Sequence, residues 1–118
     1  MTDRRPSEEK RELLRGTLDL LILKVLAPGP AHGYTITRAI RERSRGVLLV
    51  EEGTLYPALH RLERRGWLDA EWGTSEGNRR AKFYRLSRGG RRELTARERD
   101  WESMSRAIEG VLAWEGGA

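Results

Sequence analysis

The sequence predicts a mainly α fold with one two-stranded β-hairpin and a C-terminal helix suited to pairing with a second copy. Apolar residues recur at helical spacing in three segments before Gly66, the period drops to two after Trp67, and a seven-residue spacing follows near the C-terminus. A chain of 118 residues makes one domain with a modest core, and association adds to such a core.

The first helix has two candidate starts. Ser7 can cap it, with Glu8 and Glu9 placed to suit the macrodipole, or it begins at Thr17 beyond Gly16. Leu14, Leu18, Leu21, Ile22 and Val25 share one face, and Leu20, Leu23 and Leu26 widen it. Pro28, Gly29 and Pro30 stop the helix. A second helix runs from about Gly33 to Arg43, with Ile36 and Ile40 inward and Arg38, Arg41 and Arg43 outward. Ser44 to Val50 reads as a loop, broken at Gly46, whose apolar run Val47 to Val50 packs or pairs locally as a strand.

The third helix covers Glu52 to Arg65, with Leu55, Leu59 and Leu62 as its buried stripe. Pro57 is expected within the first turn, where a missing N–H costs least, and Gly66 is the C-terminal cap. Leu68, Ala70 and Trp72 then alternate with Trp67, Asp69 and Glu71, and Lys82 to Leu86 forms a second strand. The polar stretch Gly73 to Arg80 joins them as a hairpin loop. Trp67 and Trp72 are expected to pack the hairpin on the helices. Ser87 caps a last helix whose Gly89-Gly90 start is expected to be loose.

In that last helix Leu94, Trp101 and Ile108 lie seven apart, Met104 and Val111 take companion positions, and Arg97 interrupts the seam. Such a stripe packs on its own domain or against a partner. A partner is the preferred reading, because three helices and a hairpin already complete a small core. Leu14 and Leu18 are expected to share the interface. The order helix, helix, helix, hairpin, helix is that of a winged helix-turn-helix. Residues 1–87 would form the DNA-binding domain and residues 88–118 the dimerisation helix.

Charge supports a polyanionic partner. From Thr54 to Arg92 there are ten Arg/Lys against four Asp/Glu, whereas from Glu93 onward there are three against six. Double-stranded DNA fits, because an α-helix enters the major groove and arginine pairs with guanine or phosphate through two hydrogen bonds. The candidate DNA contacts are Thr54, Tyr56, Pro57, His60, Arg61 and Arg64 on the third helix, with Arg61 foremost. Asn78, Arg79, Arg80 and Lys82 on the hairpin add backbone contacts. Tyr34 and Tyr56 serve either DNA or the core. Glu51 and Glu52 are a helix-start pair expected to point away from phosphate.

Other classes fit poorly. There is no Gly-rich phosphate loop, no Ser-His-acid set and no HExxH, so no enzyme or cofactor is expected. Cysteine is absent, and His32 and His60 lack partners at ligand spacing, so no metal site is expected. No 18-residue apolar run is present, and residues 1–15 do not read as a secretory signal; a cytoplasmic protein off the membrane is expected. The competing reading is a winged-helix module that binds protein and never DNA.

Four stretches carry a family resemblance. They are Arg15 to Leu23 (RGTLDLLIL), His32 to Ile36 (HGYTI), Glu52 to Glu63 (EGTLYPALHRLE) closed by Gly66-Trp67-Leu68, and Arg79 to Ser87 (RRAKFYRLS). In this order and spacing the chain resembles the PadR-like transcriptional regulators, from about Leu13 to Leu112. Phe83 stands where an aromatic, often Tyr, is usual. The resemblance implies a repressor that acts as a homodimer through a single C-terminal helix. In some members of that family a Trp of this helix lines a cavity between protomers that takes flat aromatic compounds. Trp101 is the matching residue; as part of the seam it needs no ligand.

Overall fold

The computed structural model describes residues 8–117, with side chains from residue 16 onward. The Ser7 cap and the Leu14 interface side chain therefore lie outside the described residues. Helix α1 spans Glu8–Leu26, so of the two starts the helix takes the one that runs through Gly16. It ends ahead of Pro28 in tight turns, where the Ala27 and Gly29 amides bond to the Lys24 and Leu26 carbonyls. Helix α2 covers Gly33–Arg43 and α3 covers Glu52–Arg64.

These three helices build the core. Ile22, Leu23 and Leu26 of α1, Ile36 of α2, and Leu55, Leu59 and Leu62 of α3 are fully buried. Their spacing of three and four residues puts each set on one helical face. Between α2 and α3 the chain turns through Arg45 and Gly46, both at positive φ. Val47 to Val50 forms no strand. Val50 packs on the core, whereas Val47 and Leu49 face solvent.

Two further expectations are corrected in this region. Pro57 is the sixth residue of α3, beyond the first turn. Its ring removes the N–H that would bond the Gly53 carbonyl, and both residues lie on the exposed side. The helix starts at Glu52 as expected, so the proline is a full turn beyond the position where a missing N–H costs nothing. Gly66 does end the helix, at φ +79. The Trp67 amide bonds to the Leu62 carbonyl and the Gly66 amide to that of Glu63, a Schellman closure.

The sheet has three strands, one more than expected. β1 (Ala31–His32), β2 (Leu68–Thr74) and β3 (Arg80–Leu86) are ordered β1-β3-β2, all antiparallel. Ala31 pairs with Tyr84 and His32 with Phe83. Two residues are too few to show a period, which is why β1 leaves no sequence signal. At the base of the hairpin Leu68, Tyr84 and Leu86 join the core. The hairpin turns at Asn78, at φ 56, where the Asn78 amide bonds to the Ser75 carbonyl and the Ser75 amide to that of Arg79.

Helix α4 spans Arg88–Leu112, and Ser87 caps it by accepting a hydrogen bond from the Gly90 amide at 3.0 Å. The start is tight rather than loose, because Gly90 is buried against the backbone of Trp67. The last buried side chain of α4 is Leu94. A helix of 25 residues is about 37 Å long, and its residues beyond Leu94 are exposed or half-buried.

Candidate nucleic-acid interface

Helix α3 presents one open face. Pro57, His60 and Arg64 follow the three-and-four spacing that aligns side chains, and with Glu63 they line a shallow groove. Thr54 and Glu52 are exposed in the first turn. The buried stripe Leu55, Leu59 and Leu62 holds the opposite face, so this orientation follows from core packing.

Arg61 is not on that face. Its guanidinium bonds to the Asp19 carboxylate of α1, and its side chain is only 25% exposed. The expectation of Arg61 as the foremost contact of the outer face is corrected. A step of 100° per residue places it beside the Leu62 stripe, where a buried acid draws it inward. Asp19 itself, 6% exposed, lies within the RGTLDLLIL stretch, but nothing in its sequence spacing marks its pairing with Arg61.

Tyr56 is 39% exposed, and its hydroxyl lies against the start of α2. A Cβ on Gly33 would fall 2.7 Å from that hydroxyl oxygen, so the glycine makes room for the ring. Tyr56 thus buttresses α2 while keeping one edge open. Tyr34 is exposed, stacks at 6.5 Å on His32, and lines a groove between α2 and the hairpin tip with Arg38, Glu76 and Phe83. Arg38 is held by Glu42 at 2.9 Å, which lowers the Glu42 carboxyl below its ordinary range.

Asn78, Arg79 and Arg80 are exposed at the hairpin end, but Lys82 is not at the tip. It reaches Glu63 of α3 at 3.2 Å, a hydrogen bond that raises the Lys82 ammonium above its ordinary value. This contact ties the wing to the rim of the α3 groove. Trp72 lies opposite Lys82 and is 58% exposed, so it does not pack on the helices as expected. Its ring stays in solvent and carries the Arg80 guanidinium over it at 5.0 Å. Trp67 is the one that packs inward, with Arg65 and Arg97 each 5.2 Å from its ring.

The α4 seam divides in two. Leu94 and Leu18 are 6% and 7% exposed within one chain, so both belong to the protomer core and offer little surface to a partner. Trp101, Met104, Ile108 and Val111 are each at least half exposed, and Leu112 and Trp114 extend the patch. Leu112 and Trp114 escaped the heptad reading because they fall off its spacing. Among the described residues no group of His, Cys, Asp or Glu is placed to hold a metal, and no helix is long and apolar enough to cross a membrane.

Comparison with known proteins returns one answer. The model of the transcriptional regulator PadR-like family matches residues 22–96. A transcriptional regulator of Mycobacterium tuberculosis is 39% identical over 100 residues, spanning 85% of this chain and 90% of the relative. The solved structure of a PadR family transcriptional regulator from Eggerthella lenta is similar at TM-score 0.73 and 32% identity, covering 89% of each chain. A PadR-like transcription factor from Bacteroides fragilis is similar at TM-score 0.74 and 30% identity, covering 89% of this chain and 99% of that one.

Proposed function

The chain belongs to the transcriptional regulator PadR-like family, and from that premise we propose that it represses transcription as a homodimer on a palindromic operator in duplex DNA. Membership sets it among transcriptional regulators rather than enzymes. The observation that carries the finer reading is the open α3 face of Pro57, His60 and Arg64, joined at its Glu63–Lys82 rim to a basic wing.

In this reading α3 lies in the major groove, where Thr54, His60 and Arg64 meet base edges. Tyr34, Tyr56 and the wing residues Asn78, Arg79 and Arg80 hold the phosphate backbone. Lys82 acts through the wing's attachment to α3. Residues 1–87 do this work, and residues 88–118 pair two copies through Trp101, Met104, Ile108 and Val111. The support for pairing is the exposed apolar patch, which a lone chain leaves in water. Two-fold symmetry then puts half-site centres about 10 base pairs apart. Trp101, half exposed on the pairing face, is the side chain on which a flat aromatic effector would stack to release the DNA. The site of action is the cytoplasm.

Selection from a random duplex pool tests the proposal. Enrichment of a palindrome, with affinity falling steeply as salt rises, is the expected result. Failure to enrich any duplex would overturn it.

A further inference from the structure

Among the described residues Asp19 is the one buried charged side chain, and it joins three helices. It lies on α1, accepts a hydrogen bond from Arg61 of α3, and faces the Arg97 guanidinium of α4 at 3.9 Å. Arg97 also donates from Nε to Glu93 at 2.9 Å and lies over the Trp67 ring. Burying a carboxylate is costly, and an apolar side chain of similar volume would often serve stability as well. What an apolar residue cannot supply is direction: the carboxylate orients the Arg61 guanidinium by a hydrogen bond and attracts that of Arg97 as an ion pair at 3.9 Å.

The position of this joint matters for the rest of α4. Leu94 is the last side chain of α4 buried in the body, and Arg97 follows three residues later. One residue further Glu98 meets Lys24 of α1 at 3.3 Å on the exposed surface, and beyond that the helix carries the exposed patch. From Arg97 to Ile108 is about 17 Å along the axis, so a tilt of about 10° at the joint moves Ile108 by about 3 Å, close to one base-pair step. We infer that Asp19 is a positioning residue that fixes the angle between α4 and α3, and thereby the half-site spacing the dimer accepts. The inference rests on the homodimeric, DNA-binding reading above.

The chain has no cysteine, so one label site can be introduced cleanly. His60→Cys, carrying a nitroxide, reports the distance between the two α3 helices by pulsed dipolar spectroscopy. The parent should give one narrow distance distribution, and Asp19→Asn in the same background should widen it at least about twofold. In the unlabelled chain, Asp19→Asn should accept duplexes whose spacer is one or two base pairs longer or shorter, which the wild type rejects. Arg97→Met makes the same test from a more exposed position should Asp19→Asn fail to fold. An unchanged width and unchanged spacer preference in a folded variant would overturn the inference alone. Loss of dipolar coupling in the parent itself would overturn the homodimer reading and the inference together.

Discussion

Gly90 of α4 meets the backbone of Trp67 so closely that a Cβ there would fall 2.0 Å from the Trp67 carbonyl oxygen. The same carbonyl accepts the Ser87 amide at 3.0 Å, and the Ser87 hydroxyl donates to the Gly66 carbonyl at 2.6 Å. The end of α3, the start of β2 and the start of α4 are therefore one packed junction. Gly90→Ala is expected to destabilise the protein by about 3 kcal/mol, because the obstacle is backbone and cannot swing aside. Gly89→Ala is the control: its Cβ would meet nothing nearer than 3.7 Å, so its urea midpoint should stay close to wild type. Equal midpoints for the two variants would refute the junction.

Pairing through α4 predicts a folded monomer when the patch is charged. Met104 and Ile108 are 58% and 50% exposed in the single chain, so Met104→Lys with Ile108→Lys removes no core contact. Sedimentation should show one chain mass, with helical content retained apart from fraying at the α4 end. A dimer of undiminished affinity would count against the α4 interface.

On the wing, Arg79→Ala and Arg80→Ala should weaken binding to all duplexes by similar factors and reduce the salt slope by about one per arginine. Trp72→Ala should produce a smaller loss than Arg80→Ala, since it frees the guanidinium without removing it. A change in base preference at constant salt slope would make the wing a reader of bases.

Alkaline pH should unfold the protein through the base of the hairpin. Burial pushes the Tyr84 phenol above its ordinary value, with the Lys82 charge pulling the other way. The unfolded chain thus releases that proton first, so stability is full below about pH 10 and falls as pH rises through the folded-state value. The raised Lys82 ammonium acts in the same direction. Tyr84→Phe should flatten the decline of the thermal midpoint above about pH 10. An equally steep decline in both proteins would show that Tyr84 is not responsible.

Most of this architecture was legible because core packing writes a period into the chain. Ile36 and Ile40, Leu55 to Leu62, and the alternation from Leu68 to Trp72 located their elements to within a residue or two. Ser87 and Gly66 marked their helix ends, since each supplies a cap that few residues can. What periodicity cannot show is which polar side chain finds a buried partner. Arg61 looked like an outward cation until Asp19, 42 residues earlier, was placed beside it. Lys82 was likewise drawn from the wing tip to Glu63. Trp72 has the hydrophobicity of a packed residue, yet its ring is exposed and pairs with Arg80 instead. Leu94 fits the heptad and the core equally well, and only the path of α4 decides between them.

In the proposed reading the open face of α3 reads DNA, and Arg64, exposed on that face, is the cation that reaches a base edge. The most direct test is the affinity of wild type and Arg64→Ala, side by side, for every single-base variant of the best duplex. Arg64→Ala should lose about 1–3 kcal/mol on that duplex and lose discrimination at one symmetric position in each half-site. Unchanged affinity and unchanged base preference in Arg64→Ala would show that this face does not read DNA.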